Sequence, residues 1–365
     1  MTKINLIIAS LAAIGLIAGL IVGWLIKRRR TGSSSSETDK SKPCSPSGET
    51  KKSKPVGITM TLEPKDKVVV SLKGETAVID WGDGSPVETA TLNLKADVKL
   101  EHTYDQTQTY TLKITGETIT DFTCVKAGIT NLDINLPAII RVNCYWNKLS
   151  DLDMSDCPEL KMLNCEGNKE LKNLNVNKNS KLEDLKFSND QLTTLDVSKN
   201  TALKHLYCSN NQLTSLDTSN NPELVFLWCE DNKLTNLNIS ANTKLMSLQC
   251  HRNQLTTLDV SKNSAMTSFF CGHNQLTSLD VSNNTKLTSL HCNNNQLTEL
   301  DMTNQNKITT IDCQSNQLSA DALNNLFNTI QDNPGAGNKN IYYRSNPGTD
   351  ACDKNIIEQK GWTVK

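Results

Sequence analysis

The chain has 365 residues, enough for several domains or one extended array, and its 38 Lys+Arg against 39 Asp+Glu leave a net charge of −1. That balance excludes a general affinity for nucleic acid, which needs a basic surface. Hydrophobic residues make up 37% and aromatics only 5%, thin for a globular enzyme core but sufficient for a repetitive one, so the 12 cysteines must be read by position.

The first element is apolar. Ile4 to Ile26 is uncharged, and its 23 residues at a rise of ~1.5 Å would span a bilayer. It exceeds the ~7–15 apolar residues of a secretory signal, and no small-residue cleavage site comes after it. The run ends instead at the basic cluster Lys27-Arg28-Arg29-Arg30. Residues 1–30 are therefore expected to be a retained single-pass anchor with a basic flank. Gly15, Gly19 and Gly23 fall four apart, a spacing that lets two helices approach closely, although glycine is common in membrane helices anyway.

Residues 31–57, rich in Ser, Lys, Pro and Gly without an apolar period, read as a disordered linker. From 58 to 118 apolar and polar residues alternate in short runs such as "KVVVSLK" and "YTLKIT", which predicts a small β-sandwich. The hairpin Trp81-Gly82-Asp83-Gly84 and the later His102-Thr103-Tyr104 resemble the polycystic-kidney-disease (PKD) type of immunoglobulin-like domain. Asp80 and Asp83 are expected to serve the turn rather than a metal or a reaction.

Residues 119–318 keep a 21-residue period, as in "LTSLDTSNNPELVFLWCEDNK" (213–233) and "LTSLDVSNNTKLTSLHCNNNQ" (276–296). The cysteine column begins at Cys124 and runs through Cys144, Cys165, Cys208, Cys229, Cys250, Cys271, Cys292 and Cys313, with Phe187 in one place and an extra residue near Lys169-Glu170. "LxxLxCxxN" and "LxxLDVSxN" both match the leucine-rich repeat pattern. The stretch resembles the nested 21-residue class of bacterial leucine-rich repeats, internalin-like, in which each coil holds two strand-like segments. The predicted fold is mainly β: a solenoid of short parallel strands, preceded by the sandwich and the transmembrane helix. Residues 319–365 are expected to form a C-terminal α/β cap, opened by the helix-capping Ser319.

Alternation along a strand sorts the columns. In "LxC" the Leu and Cys face the core, and the residue between them faces out: Asn143, Asn164, Lys186, Tyr207, Trp228, Gln249, Phe270, His291 and Asp312. In "LDV" the outward column hardly changes, Asp196, Asp217, Asp259 and Asp280 among it, and is expected to form a hydrogen-bonded ladder with the serines two residues on. The Cys column reads as core packing, since stacked cysteines have poor geometry for bridging and paired zinc-ligand spacing is absent. No metal, cofactor or catalytic set is predicted, and an enzyme is not expected.

A column that changes at every coil is free to meet a partner. Tyr207, Trp228, Gln249, Phe270 and His291, flanked by His205 and Phe226, are therefore the predicted contact for a protein or peptide, with mutual stacking that stiffens the sheet as the alternative. The family resemblance implies a surface or secreted bacterial protein concerned with attachment or host contact. A scaffolding envelope protein and a carbohydrate-binding surface protein are the other readings, since an aromatic row can stack on sugar rings. The basic flank argues for a cytoplasmic solenoid and the family for an exposed one, and long domains translocate despite flanking charge.

Overall fold

The computed structural model describes residues 54–105, 107–116, 118–333 and 338–365. The expected anchor Ile4–Ile26 and residues 31–53 of the expected linker lie outside them. Among the described residues no helix is long and apolar enough to cross a membrane. Residues 54–57 do not behave as linker. Lys54 Nζ pairs with Asp133 (3.1 Å) and Asp156 (3.2 Å), and Gly57 already opens the first strand.

Six strands build the N-terminal part: β1 (Gly57–Leu62), β2 (Lys67–Lys73), β3 (Thr76–Asp80), β4 (Glu88–Thr91), β5 (Val98–Thr103) and β6 (Tyr110–Thr115). Their inward residues, such as Met60, Val70, Ile79 and Leu112, are buried at every second position, as the alternation requires. The hairpin after β3 is held by its own motif. Asp80 Oδ1 accepts from Gly82 N–H and Asp83 Oδ1 from Ser85 N–H, both at 3.0 Å. Asp83 Oδ2 lies 2.6 Å from His102 Nε2, and Tyr104 Oη donates to Trp81 O at 2.8 Å. Gly82 has φ 80°, and a Cβ there would sit 2.1 Å from Thr111 O, so only glycine fits.

The solenoid continues both sheets of this part. β7 (Asp121–Thr123) pairs antiparallel with β2, and β8 (Ile129–Asn135) pairs antiparallel with β1. The strand pairs thus cover the open end of the first coil. From β7 onward the "LxC" segments stack in parallel: β9 (Arg141–Asn143), then, beyond β10 (Asp151–Asp153), β11 (Met162–Asn164), and beyond β12 (Asn173–Asn175), β13 (Asp184–Lys186). β14 (His205–Tyr207), β15 (Phe226–Trp228), β16 (Ser247–Gln249), β17 (Ser268–Phe270), β18 (Ser289–His291) and β19 (Thr310–Asp312) extend the same sheet. The result is a mainly β solenoid of about 11 turns with few helices.

At the far end Ser319 Oγ accepts from Ala322 N–H (3.1 Å) and starts α1 (Ala320–Thr329), whose Leu323, Leu326 and Phe327 are fully buried. β20 (Asn340–Tyr342), α2 (Asn355–Gln359) and β21 (Thr363–Val364) complete the cap, and the two strands add to the sheet beside β19.

Two expectations about the second segment of each coil need correction. It is a strand only in β8, β10 and β12. Between β10 and β12, Asn173 Nδ2 donates to Asp151 (2.5 Å) and Asn175 Nδ2 to Asp153 (2.9 Å). Later coils have no strand here, whether an Asp follows an Asp, as at Asp196 and Asp217, or an Asn follows it, as at Asn238. The aspartates do bond the serines two residues on, as expected, but each within its own coil rather than as a continuous ladder. Each caps its own turn, Asp196 Oδ1 accepting from Ser198 N–H and Asp217 Oδ1 from Ser219 N–H, both at 2.9 Å. Bonds from the Ser219 hydroxyl and backbone to Asp217, and from the Ser198 backbone and hydroxyl to Asp196, hold both carboxyls below their ordinary range.

The ladders between coils are made of asparagine instead. Asn232 Oδ1 accepts from Leu213 N–H of the preceding coil (2.9 Å), while its Nδ2 donates to Cys208 O (3.0 Å) and Cys229 O (3.1 Å). Asn253, Asn274, Asn295 and Asn316 repeat the pattern. A second, inner column does half as much. Asn221 Nδ2 donates to Val197 O (3.0 Å) and Asn200 O (2.9 Å), but its Oδ1 has no partner.

Candidate functional site

Each three-residue strand from β13 to β18 presents two residues outward and one inward, so the outer face is two columns wide. The inward Leu206, Leu227, Leu248 and Phe269 and the cysteines after each strand are fully buried. The nine column cysteines, from Cys124 to Cys313, are free thiols. Burial pushes the Cys124 thiol up to about 12 and raises the others as well, which makes them packing groups rather than nucleophiles.

Parallel register sets the outer columns. Lys186, Tyr207, Trp228, Gln249, Phe270, His291 and Asp312 succeed one another across the sheet. Beside them run Asp184, His205, Phe226 and then Ser247, Ser268 and Ser289. All seven residues expected to make the contact therefore lie on this face, but not as one exposed row. Each is half-buried, because neighbouring coils stack their rings.

Two clusters result. In the first, Tyr207 and Trp228 meet edge to face at 4.8 Å and 88°, and His205 stacks on Phe226 at 5.1 Å. Lys186 Nζ lies 4.8 Å over the Tyr207 ring, and His205 Nδ1 bonds the Asp184 carboxylate. Burial, then the nearby Asp184 and Glu166 charges, raises the Tyr207 hydroxyl above its ordinary pKa. In the second, Phe270 and His291 stack at 4.3 Å and 7°, with Asp312 3.8 Å from His291 Nδ1. Burial opposes ionisation of Asp312, yet hydrogen bonds from His291 and Gln314 hold its carboxyl below the ordinary value. Gln249 and the buried Ser247 separate the clusters.

Three polar atoms on this side are buried without a hydrogen-bond partner: Trp228 Nε1, Glu230 Oε2 and His251 Nδ1. Burial lowers the His251 pKa, against the opposing pull of Glu230 and Asp231. Asp184, Glu230 and His251 belong to the face but escape a search for outward aromatics. Counting 21 residues back from His205 finds Asp184, so the charge partner was within reach of the repeat itself. His251, His273 and His291 fall on successive coils but in three different columns of the turn and strand, and among the described residues no group of three or more His, Cys, Asp or Glu could hold a metal.

No protein-family model matches the chain, and no curated protein does. Solved structures do. The functional domain of InlJ from Listeria monocytogenes, which includes a cysteine ladder, is 29% identical at a TM-score of 0.54, over 67% of this chain and 59% of that one. An internalin (inlF) from Listeria monocytogenes str. 4b F2365 is 16% identical at a TM-score of 0.51, over 67% of this chain and 86% of that one. The match thus spans less than two thirds of the InlJ chain. Both are similar to this chain in their solenoid fold.

Proposed function

We propose that this chain is a membrane-anchored protein-interaction module of the bacterial cell envelope, exposed at the surface and concerned with attachment or host contact. It grips a protein or peptide through Tyr207, Trp228, Gln249, Phe270 and His291, with His205 and Phe226 beside them. The observation that carries the reading is the contrast between faces of one solenoid. The inward columns repeat Leu and Cys, whereas this outward pair of columns gathers aromatics, histidines and charges that the repeat does not require. Trp and Tyr are enriched where binding energy concentrates, and the unpartnered Trp228 Nε1, Glu230 Oε2 and His251 Nδ1 gain hydrogen bonds when their side chains turn toward a partner. Buried atoms left unpaired cost about 1–3 kcal/mol each, so a partner that satisfies them gains affinity.

The anchor rests on the apolar run Ile4–Ile26 and its basic flank. A PKD-like identity for the N-terminal sandwich rests on the Trp81-Gly82-Asp83-Gly84 hairpin and its bonds to His102 and Tyr104. The test places a photo-crosslinking amino acid at position 228, and as a control at 217 on the opposite segment of the coil, in intact cells. The reading expects a discrete crosslinked product at 228 that is absent at 217 and is removed by external protease. Equal products at both positions, or protection from protease, would overturn the contact and the exposure respectively.

A further inference from the structure

Three departures from the repeat converge in a different part of the molecule. The residue two places after each column cysteine sits at positive φ, and later coils fill it with polar residues, among them Asn189, Asn210, Asp231 and Asn294. Asn and Asp tolerate this conformation best, and Lys126, Arg252 and His273 also adopt it. Coil two places Trp146 there, at φ 59°, and leaves it 58% exposed. In the next coil the same position is Gly167, where an added Cβ would lie 3.3 Å from Trp146 Cδ1, so the glycine makes room for the indole. That next coil also holds the one extra residue of the array, at Lys169-Glu170.

These residues line one cleft of about 540 Å³, closed on its other side by the β1–β2 turn at Glu63, Pro64 and Lys65. Its size is that of a small-ligand site. Lys126 Nζ lies 4.9 Å from the Trp146 ring centroid, and Lys148 pairs with Glu63 at 2.5 Å. Among the described residues no carboxylate lies within salt-bridge distance of Lys126 or Lys169. The cleft therefore offers an exposed indole with Lys126 over one face, three lysines without a carboxylate partner among the described residues (Lys65, Lys126 and Lys169), and the Glu63 and Glu170 carboxylates.

We propose that this cleft binds an acidic sugar residue of a polysaccharide, its ring lying on Trp146 and its acid group meeting Lys126 and Lys169. The charges select this occupant. Lysines call for an anion, and the neighbouring glutamates accept hydrogen bonds from sugar hydroxyls. A sugar ring also has a flat face to lay against the indole, which an acidic side chain lacks. Trp146 is the one apolar side chain at a position that the other coils give to polar residues or glycine.

Titration calorimetry on the full chain in detergent tests this with a tetragalacturonate and a heparin tetrasaccharide, against neutral maltotetraose and a hexaglutamate peptide. At least one acidic sugar should bind with a Kd below about 1 mM and weaken as salt rises. Trp146→Asn should lose about tenfold in affinity, the scale of a stacked or cation–π contact, and should keep the parent melting temperature because Asn suits that φ. Lys126→Gln with Lys169→Gln should lose binding and its salt dependence together, while Trp228→Ala should leave it unchanged. Binding of neither acidic sugar, equal binding by Trp146→Asn, or tighter binding of hexaglutamate would each overturn the proposal.

Discussion

Trp228 and Tyr207, on neighbouring coils, meet edge to face with ring centroids 4.8 Å apart. The pair is the centre of the proposed contact and also part of the folded sheet, so its two roles must be separated. An aromatic pair of this geometry contributes about 0.5–1.5 kcal/mol beyond its burial. A double-mutant cycle with Tyr207→Ala and Trp228→Ala should therefore show a coupling of about 1 kcal/mol in urea denaturation, with cooperative unfolding retained. Leu206, Leu227, Cys208 and Cys229 beneath the pair are fully buried and keep the coils together. A combined loss well above about 4 kcal/mol would make the rings structural stiffeners and remove the argument for a contact.

The two asparagine columns should differ in cost. Asn232→Ala strands the Leu213 N–H and removes donors from Cys208 O and Cys229 O, so a loss of about 2–4 kcal/mol is expected. Asn221→Ala removes two donors but also eliminates a buried oxygen that has no partner, and the loss should be clearly smaller. Urea midpoints of the two variants, measured side by side, decide the order. Equal losses would mean the Asn221 oxygen is satisfied in solution.

The strict period made the core legible. A Leu or Cys recurring every 21 residues faces inward, and the structure buries the Leu and Cys of each "LxC" segment completely. The outward column was legible for the same reason, by subtraction. What the period could not reveal was whether outward aromatics stand open or lean on one another, because that depends on side-chain torsions at neighbouring coils. The Trp146 cleft was equally hidden: Lys65 and Lys169 are 104 positions apart in the chain, and only the fused sandwich brings them to one cleft. The second segment of each coil misled because its apolar spacing suits a strand, yet only β8, β10 and β12 take that form.

Thiol chemistry offers a direct check on the cysteine column. Its members are fully buried, whereas Cys352 is partly exposed in the cap. In a Cys44→Ala background, maleimide at neutral pH should modify Cys352 alone in the native protein. The nine column thiols and the buried Cys157 should react only after denaturation, since burial raises their pKa and blocks access. Early labelling at Cys208 or Cys229, read by peptide mapping, would show that coils open locally near the proposed contact.

Asp190 should make stability depend on pH in an unusual direction. It takes the place of Asn in the outer ladder, and the extra residue of the preceding coil redirects the Leu171 N–H to Asn168 O at 2.8 Å. Both Asp190 carboxyl oxygens are buried without a hydrogen bond of good geometry. Burial pushes the carboxyl up to about 9, Glu166 adds to the rise, and the nearby Asn168 backbone offsets only part of it. The unfolded chain titrates near ~3.9. Between those values the folded protein holds a proton that the unfolded chain has released, so stability falls as pH rises from ~4 toward about 9. The Asp turn caps such as Asp196 and Asp217 work the other way and matter only in acid, because their carboxyls are lowered. Asp190→Asn should abolish the fall, and it can regain bonds like those of Asn211, which donates to Phe187 O at 2.9 Å and Cys208 O at 3.2 Å. At pH 8 the variant should be more stable than the parent by a few kcal/mol, on the order of 2–4, with the difference shrinking toward pH 5. Parallel stability curves for the two proteins from pH 5 to 8 would show instead that Asp190 is ionised and satisfied in the fold.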